Sequence, residues 1–198
     1  MGVAPKMVIV KRRDNGAGGT NWLVYHSQLN NGVNPAQYNL KLNLTNATAG
    51  LSTIWNDTAP TSTVFSVGTN AETNGSGGTF VAYCFAQVAG YSAFGSYTGN
   101  GSSDGPFIYT GFRPAFVMVK RTNTTGAWLM LDNKRIGYNP DQNHLQANQS
   151  DAEYADIDSD FLSNGFKARS TATDLNANGS TYIYMAFAES PFKYSLAR

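Results

Sequence analysis

An acidic run in the last third of the chain offers the residue types of a metal site. Asp156, Asp158 and Asp160 stand at alternate positions, which is the spacing with which a calcium-binding loop begins. The pattern then fails, because Phe161 stands where such a loop requires glycine and Lys167 where it requires glutamate. Two interpretations stay open: a weak calcium site, and a solvated acidic loop that holds no ion. We expect no other cofactor.

Residues that could act as acids, bases or nucleophiles are few. The two histidines are His26 and His144, and neither lies near a nucleophile motif such as Gly-x-Ser-x-Gly. Sandwich-type glycosidases place two carboxylates at neighbouring inward positions of one strand. The sequence predicts no strand with such a pair, and Glu72, Glu153 and Glu189 are isolated from one another. We therefore expect a protein that is not an enzyme.

Aromatic rings offer a second kind of chemistry, because a flat ring stacks on the apolar face of a sugar. Trp55 lies in a polar segment and is followed by Asn56 and Asp57, while Tyr97 lies in a glycine- and serine-rich stretch. These four residues are the predicted ligand-binding residues. The alternative for Trp55 is packing in the core beneath a long loop.

The composition limits the class of partner. The chain has 14 Lys and Arg against 13 Asp and Glu, a net charge of +1. It lacks the basic surface that binding to nucleic acid or anchoring on an anionic membrane requires. No apolar stretch approaches the ~18 residues of a membrane-spanning helix, and the first residues do not resemble a signal peptide. We expect synthesis in a cytoplasm, including that of a host cell in which virus particles assemble.

The single cysteine, Cys84, lies in an apolar run between Phe80 and Ala86. One cysteine cannot form an intramolecular disulfide or a multi-cysteine metal site. We expect it to be a small buried hydrophobic residue rather than a reactive thiol.

An internal repeat organises the whole chain. Four segments recur in the same order, and the offset between copies falls from 109 to 102 residues, as when loops gain or lose a few residues between strands. The matched segments are 5–12 with 114–121, 22–25 with 128–131, 40–43 with 145–148, and 79–87 with 181–189.

The matched segments are short, rich in Val, Ile, Phe, Tyr and Thr, and separated by turns such as Asn15-Gly16 and Asn74-Gly75. This pattern is typical of an all-β protein. We predict two tandem β-sandwich domains, of jelly-roll or concanavalin-like type, at residues 1–94 and 95–198. Residues 95–112 form a linker with leading strands. The best helical candidate is the acidic segment 150–161, which would hold one or two turns at most.

The two repeats differ at their beginnings. Residues 95–101 and 106–112 look like one or two strands that lead into the second repeat, whereas the first repeat starts almost at Pro5. Three explanations stay open: the leading strands are shared, the first domain has an open edge, or the chain is a fragment of a longer protein. We predict that a neighbouring domain or another subunit completes the first domain.

Three blocks carry a resemblance to a known family. They are the stretch from Tyr-Thr-Gly-Asn-Gly at 97–101 to Lys-Arg at 120–121, the sequence Phe-Leu-Ser-Asn-Gly-Phe-Lys at 161–167, and the end from 182 to Pro-Phe-Lys-Tyr at 191–194. Together they resemble virion-associated proteins of tailed bacteriophages from marine and other environments, which look like repeated β-sandwich modules of tail or fibre proteins. The resemblance covers nearly the whole chain and is tighter in the second half. The first half keeps the strand pattern but lacks the Ser-Asn-Gly-Phe motif.

The resemblance implies a non-enzymatic structural protein of a virion, in a tail fibre, spike or capsid appendage, with a part in host attachment. Its implied partners are other virion proteins, copies of itself in a trimer, and a host glycan or receptor. Nucleic-acid binding and membrane insertion are not expected. A lectin-like module with its site at Trp55 is the alternative function, and a polysaccharide depolymerase is the remote one.

Overall fold

A computed structural model describes residues 2–14 and 21–191 of the chain. These residues form two sheets, one of five strands and one of eight, with a few one-turn helices, so the prediction of an all-β protein is confirmed. Within this part of the chain, no helix has the length and apolar composition needed to cross a membrane. The predicted turn at Asn15-Gly16 and the closing Phe192-Lys193-Tyr194 lie outside the described residues.

The chain divides into two compact units, Met1–Ala86 and Gln87–Arg198. The strands of the first unit are β1 (Met7–Arg12), β2 (Trp22–His26), β3 (Tyr38–Lys41), β4 (Ala49–Gly50) and β5 (Phe80–Phe85). Its helices are α1 (Ser52–Trp55) and α2 (Ala71–Asn74), with 3₁₀ turns at Leu29–Gly32 and Pro35–Gln37. These strands are antiparallel in the order β4-β3-β2-β1-β5.

The second unit contains one sheet in the antiparallel order β6-β13-β8-β9-β10-β11-β12-β7. Its strands are β6 (Ser92–Thr98), β7 (Phe107–Tyr109), β8 (Pro114–Arg121), β9 (Trp128–Asp132), β10 (Asp141–Gln146), β11 (Tyr154–Leu162), β12 (Gly165–Ala168) and β13 (Thr181–Ala188). One helix, α3 (Thr173–Asn176), precedes the last strand. Strand β6 spans the predicted boundary between residues 94 and 95.

Strand β1 is the centre of the first unit. Its residues Met7 to Val10 are all buried, so both faces of the strand are covered, as its continuous apolar run predicts. On one face Val8 and Val10 pack in a core cluster with Leu23 and Tyr25. Helix α1 adds Ile54 and Trp55 to that cluster, so a single helical turn helps to close the core on this face.

The core of the second unit lies inside its own curved sheet. Phe166 of β12 packs edge-on against Tyr184 of β13, with ring centroids 5.5 Å apart, and against Tyr97 of β6 at 6.2 Å. These strands lie near opposite ends of the strand order, so the sheet folds over until its two halves pack face to face. Val117 and Leu129 of the central strands are fully buried between them.

Four strands have the same order in both units, β5-β1-β2-β3 in the first and β13-β8-β9-β10 in the second. Their registers also correspond, because Lys11 lies opposite Trp22 in the first unit and Lys120 lies opposite Trp128 in the second. Further corresponding pairs are Val10–Ala82 with Val119–Tyr184, and Val24–Leu40 with Met130–Leu145. The segments that match in sequence thus occupy matching places.

Corresponding side-chain hydrogen bonds hold the loop after β3 in the first unit and the loop after β10 in the second. The backbone N–H of Trp22 donates to Oδ1 of Asn43 over 2.9 Å, and that of Trp128 donates to Oδ1 of Asn148 over 2.7 Å. Each asparagine is the second residue after its strand, so each loop is tied to the start of the neighbouring strand.

The prediction that segment 150–161 holds one or two helical turns is wrong. Most of it is β11, in which the buried Ile157, Ser159 and Phe161 alternate with more exposed aspartates. That alternation has the period of a strand, and the acidic composition concealed it.

The predicted leading strands pair inside the second unit. Strand β6 pairs with β13 and β7 pairs with β12. In the first unit β5 pairs with β1 alone, and within residues 2–14 and 21–191 no strand lies along its other edge.

We predict that Asn148→Ala lowers the free energy of unfolding of the second unit by about 1–3 kcal/mol, because the buried N–H of Trp128 loses its acceptor. Urea denaturation measures the change. Asn123→Ala, which truncates an exposed asparagine, is the control and should change stability by less than about 0.5 kcal/mol. Equal effects of the two substitutions would contradict this role of Asn148.

Candidate functional site

The structure places Trp55 in the core of the first unit. The side chain is only 2% exposed and packs edge-on against Tyr25, with ring centroids 6.1 Å apart. Stacking on a sugar requires an exposed ring face. The position of Trp55 therefore agrees with packing, the alternative that the sequence left open.

Asn56 and Asp57 lie at the surface directly after α1. Both adopt left-handed backbone conformations, with φ of 52° and 49°, which asparagine and aspartate tolerate better than other residues with a Cβ. The N–H of Thr58 donates to the carbonyl oxygen of Trp55 over 3.1 Å and closes the turn. A ligand at this turn would meet the two polar side chains and not the indole ring.

Tyr97 belongs to the second unit, so the four predicted ligand-binding residues are divided between the units. Its ring stacks on Tyr182 at 4.9 Å, and its hydroxyl donates to the carbonyl oxygen of Leu175 over 2.7 Å. Burial raises the pKa of Tyr97 well above its ordinary value. These contacts serve the packing of β6 on β13.

The three aspartates of the predicted calcium loop lie on one face of β11. Asp156, Asp158 and Asp160 point away from the core, opposite in direction to Ile157 and Phe161. The register of β11 against β10 shifts between Ala155 and Ser159, so the three carboxylates form a row along this face that is regular only at its Asp158–Asp160 end. Among the described residues, no group of three or more histidine, cysteine, aspartate and glutamate side chains could hold a metal ion. Calcium binding stays a prediction.

Strand β11 carries more than one carboxylate on one face, because the acidic segment is a strand and not a loop. This face points away from the core, so its carboxylates are not the inward-facing pair that sandwich-type glycosidases use. Of the three, Asp160 faces Arg169, with Oδ2 and Nε 3.5 Å apart.

Exposed aromatic rings lie two strands away from this row. Phe107 is 45% exposed and Tyr109 is 67% exposed, while Ile108 between them is buried in the core. Phe107 lies opposite Lys167, and Tyr109 lies opposite Gly165. The two rings therefore stand on the side of the sheet that faces away from the core. We call the residues on this side of β7, β12 and β11 the outer face: Phe107, Tyr109, Asp156, Asp158, Asp160, Lys167 and Arg169.

The two cations of the outer face form ion pairs with Asp104, in the loop before β7. Nζ of Lys167 lies 2.6 Å from Oδ1 of Asp104, and Nη1 of Arg169 lies 3.8 Å from the same oxygen. The hydrogen bond from Lys167 lowers the pKa of Asp104. The outer face thus combines two apolar rings with cations and carboxylates in fixed positions, which suits a ligand with both flat apolar faces and hydroxyl groups.

A second cluster of polar groups is buried where β10 and β11 lose their regular pairing. The register shifts between Asp141 and Asn143, and both Asp141 and His144 are almost fully buried. The ring of His144 stacks on Tyr154 at 5.4 Å, and its Nδ1 lies 3.7 Å from Oδ1 of Asp156. Asp141 accepts a hydrogen bond from the N–H of Asn143 over 3.3 Å.

Burial opposes charge on both groups of this cluster. It raises the pKa of Asp141 to about 6 and lowers the pKa of His144. Oδ2 of Asp141 and Nδ1 of His144 have no hydrogen-bond partner among the described residues. Sequence reasoning missed Asp141, because this residue follows Asn139 and Pro140 in a segment with the polarity of a surface loop.

Comparison with known proteins yields one match. A family model described as Domain of unknown function (DUF7483) matches residues 1–191. No curated protein and no solved structure matches the chain.

We predict that Asp141 makes the second unit less stable as the pH rises from about 4 to about 6. The folded state holds this proton up to pH 6, whereas the unfolded chain releases it near pH 3.8. The stabilisation is fully present below the unfolded pKa and is lost as the pH passes the folded one, a change of about 3 kcal/mol. Urea denaturation across this range should show the slope in the unmodified chain and its loss in Asp141→Asn. The exposed control Asp57→Asn should keep the slope, and an unchanged slope in Asp141→Asn would contradict the assignment.

Proposed function

The chain belongs to the family described as Domain of unknown function (DUF7483), and we propose that it is a non-enzymatic structural protein of a bacteriophage virion. It forms part of a tail fibre, spike or capsid appendage and contributes to attachment to the host. The phage assignment rests on the resemblance of residues 97–121, 161–167 and 182–194 to virion-associated proteins. The structural role rests on the four-stranded frame that both units share.

The observation that carries the structural role is the repetition of one four-stranded frame. The order of strands, the cross-strand registers and the asparagine that ties the third strand to the second correspond between the units. The turn before the last strand corresponds as well: the N–H of Asn74 donates to the carbonyl of Asn70, and that of Asn176 donates to the carbonyl of Ala172. These features support two tandem repeats of one β-sandwich module.

The two modules differ in their second layer. In the second unit β11, β12 and β7 fold back over the central strands, which supports a sandwich. In the first unit α1 and its neighbouring loops take that place. A protein made of repeats keeps one scaffold and varies the elements mounted on it, and the loops here carry asparagine, serine and threonine. Such side chains suit adaptable hydrogen bonding to protein or glycan surfaces.

The proposal places the protein in the virion, in contact with other virion proteins and with copies of itself. The family resemblance favours a trimer. Antibodies raised against the purified chain should label a tail, fibre or capsid appendage of the phage that encodes it, as seen by negative-stain electron microscopy. A chain that remains entirely in the soluble fraction of the infected cell, with no label on purified particles, would contradict the proposal.

A second candidate function is binding of a host glycan by the outer face. The specific observation is the exposure of Phe107 and Tyr109 on one side of β7, next to the ion pairs of Lys167 with Asp104 and of Arg169 with Asp160. The depolymerase, the remote alternative, would use aspartates of the same face as its acid and base.

For this second function, we predict that the double substitution Phe107→Ala and Tyr109→Ala weakens binding to host polysaccharide at least tenfold. Each ring that stacks on a sugar contributes about 1 kcal/mol to binding, and the variant loses both rings. A glycan array or surface plasmon resonance measures the affinity. Tyr138→Ala, at a tyrosine of the second unit that is 72% exposed and lies outside the outer face, is the matched control. Unchanged binding in the double variant would exclude the outer face as the glycan-binding site. If the unmodified chain releases reducing ends from the polysaccharide and Asp158→Asn does not, the outer face cleaves the glycan.

A further inference from the structure

The free edge of β5 presents a regular set of backbone groups. The N–H of Arg13 donates to the carbonyl of Thr79 over 2.8 Å, which fixes the alternation of the antiparallel ladder between β1 and β5. Val81 and Tyr83 therefore bond to β1. The N–H and C=O groups of Phe80, Ala82 and Cys84 point the other way, towards the edge where no described strand lies.

In the second unit a strand occupies the corresponding position. The N–H of Gly99 donates to the carbonyl of Ser180 over 2.9 Å, so the outward groups of β13 belong to Tyr182, Tyr184 and Ala186. These are the counterparts of Phe80, Ala82 and Cys84 in the matched segments, and they pair with Tyr97, Gly95 and Ala93 of β6. The edge of β5 therefore has the geometry of a strand that accepts an antiparallel neighbour.

The exposure of β5 agrees with a missing neighbour. Tyr83 is 45% exposed and Ala82 is also exposed. Their counterparts Met185 and Tyr184 are 6% and 8% exposed in the second unit. Strand β13 is thus buried in the second unit, whereas the corresponding strand β5 is partly exposed in the first.

Strand β5 also lacks the features that usually protect an edge. Natural edges are short or carry charges, proline or a bulge. Of the other described edges, β4 has two residues, β7 has three, and β6 has seven residues that include Gly95 and carry no charge. Strand β5 has six residues, and none of Phe80 to Phe85 is charged or a proline.

We propose that the occupant of this edge is β5 of a second copy of the chain, paired antiparallel about a two-fold axis through Ala82. In this register Ala82 faces Ala82 of the other copy, and Phe80 faces its Cys84. One contact then pairs the outward backbone groups of both copies, as expected of a symmetric interface. Without charge on β5, no like charges oppose each other across the axis.

This inference rests on the proposed structural function and deepens it, because it names one surface through which copies assemble. The contact is two-fold, whereas the family resemblance alone favours a trimer. A pair of six-residue strands buries less than the 1,200–2,000 Å² of a standard stable interface. We therefore expect a dimer that depends on concentration and that gains strength when many copies are held on one particle.

Charge substitutions at Ala82 test the proposal directly. Light scattering should show the mass of the unmodified chain rising towards a dimer with concentration, while Ala82→Lys and Ala82→Glu each weaken dimerisation about fivefold or more, because like charges oppose each other. An equimolar mixture of the two variants should restore the dimer. Asn46→Lys and Asn46→Glu place the same charges on an exposed loop of the first unit and should change nothing.

Disulfide trapping tests the register. The Cα atoms of directly opposed residues in a hydrogen-bonded antiparallel pair lie about 5.5 Å apart, which suits a disulfide. Ala82→Cys combined with Cys84→Ser should cross-link under mild oxidation. The unmodified chain should not, because its Cys84 faces Phe80 of the other copy.

Three results would overturn the inference: a chain that stays monomeric at all accessible concentrations, an oligomer that the Ala82 variants do not affect, or an Ala82 cysteine that cross-links no more than native Cys84. An unaffected oligomer would leave the structural function standing with another interface. Absence of the chain from virions would refute that function without deciding whether β5 pairs in solution.

Discussion

The hydrogen-bonding requirement of one central strand organises each unit. Strands β1 and β8 pair on both sides, with β2 and β5 in the first unit and with β9 and β13 in the second. Such strands satisfy their backbone groups entirely within the sheet and can be buried on both faces, as Val8 and Val117 are. The last strand of each unit must return to this centre, and the one-turn helices α2 and α3 make that return. The elements farther from the centre are then free to differ.

The differences between the units follow from this arrangement. The second unit extends its sheet through β11, β12 and β7, and this extension creates the outer face. The first unit covers its core with α1 and loops, so Trp55 is needed for packing. At the other end of the sheet, β6 covers β13, whereas β5 has no described strand beside it. The second unit therefore presents an aromatic and charged face that the first lacks, and the first leaves β5 uncovered where the second covers the corresponding β13.

The frame could be predicted from the sequence because its strands are short apolar runs that occur twice, as in 5–12 and 114–121. Strand β11 could not, since its buried Ile157 and Phe161 are interrupted by aspartates that suggest a loop. The sequence also could not decide whether Trp55 packs or binds, because both roles suit an aromatic residue in a polar segment. Asp141 and the pair Phe107 and Tyr109 emerge only from the fold, since their burial and exposure depend on strands distant in the chain.

Amide hydrogen exchange, resolved by residue, tests the central claim that one frame is built twice and left open at β5. At low protein concentration, the amides of Phe80, Ala82 and Cys84 should exchange rapidly while those of Val81 and Tyr83 are protected. In β13, every amide from Tyr182 to Ala186 should be protected, because β8 and β6 pair with it on both sides. Protection of Ala82 equal to that of Tyr184 would contradict the account, because it would require a partner for β5 within a single chain.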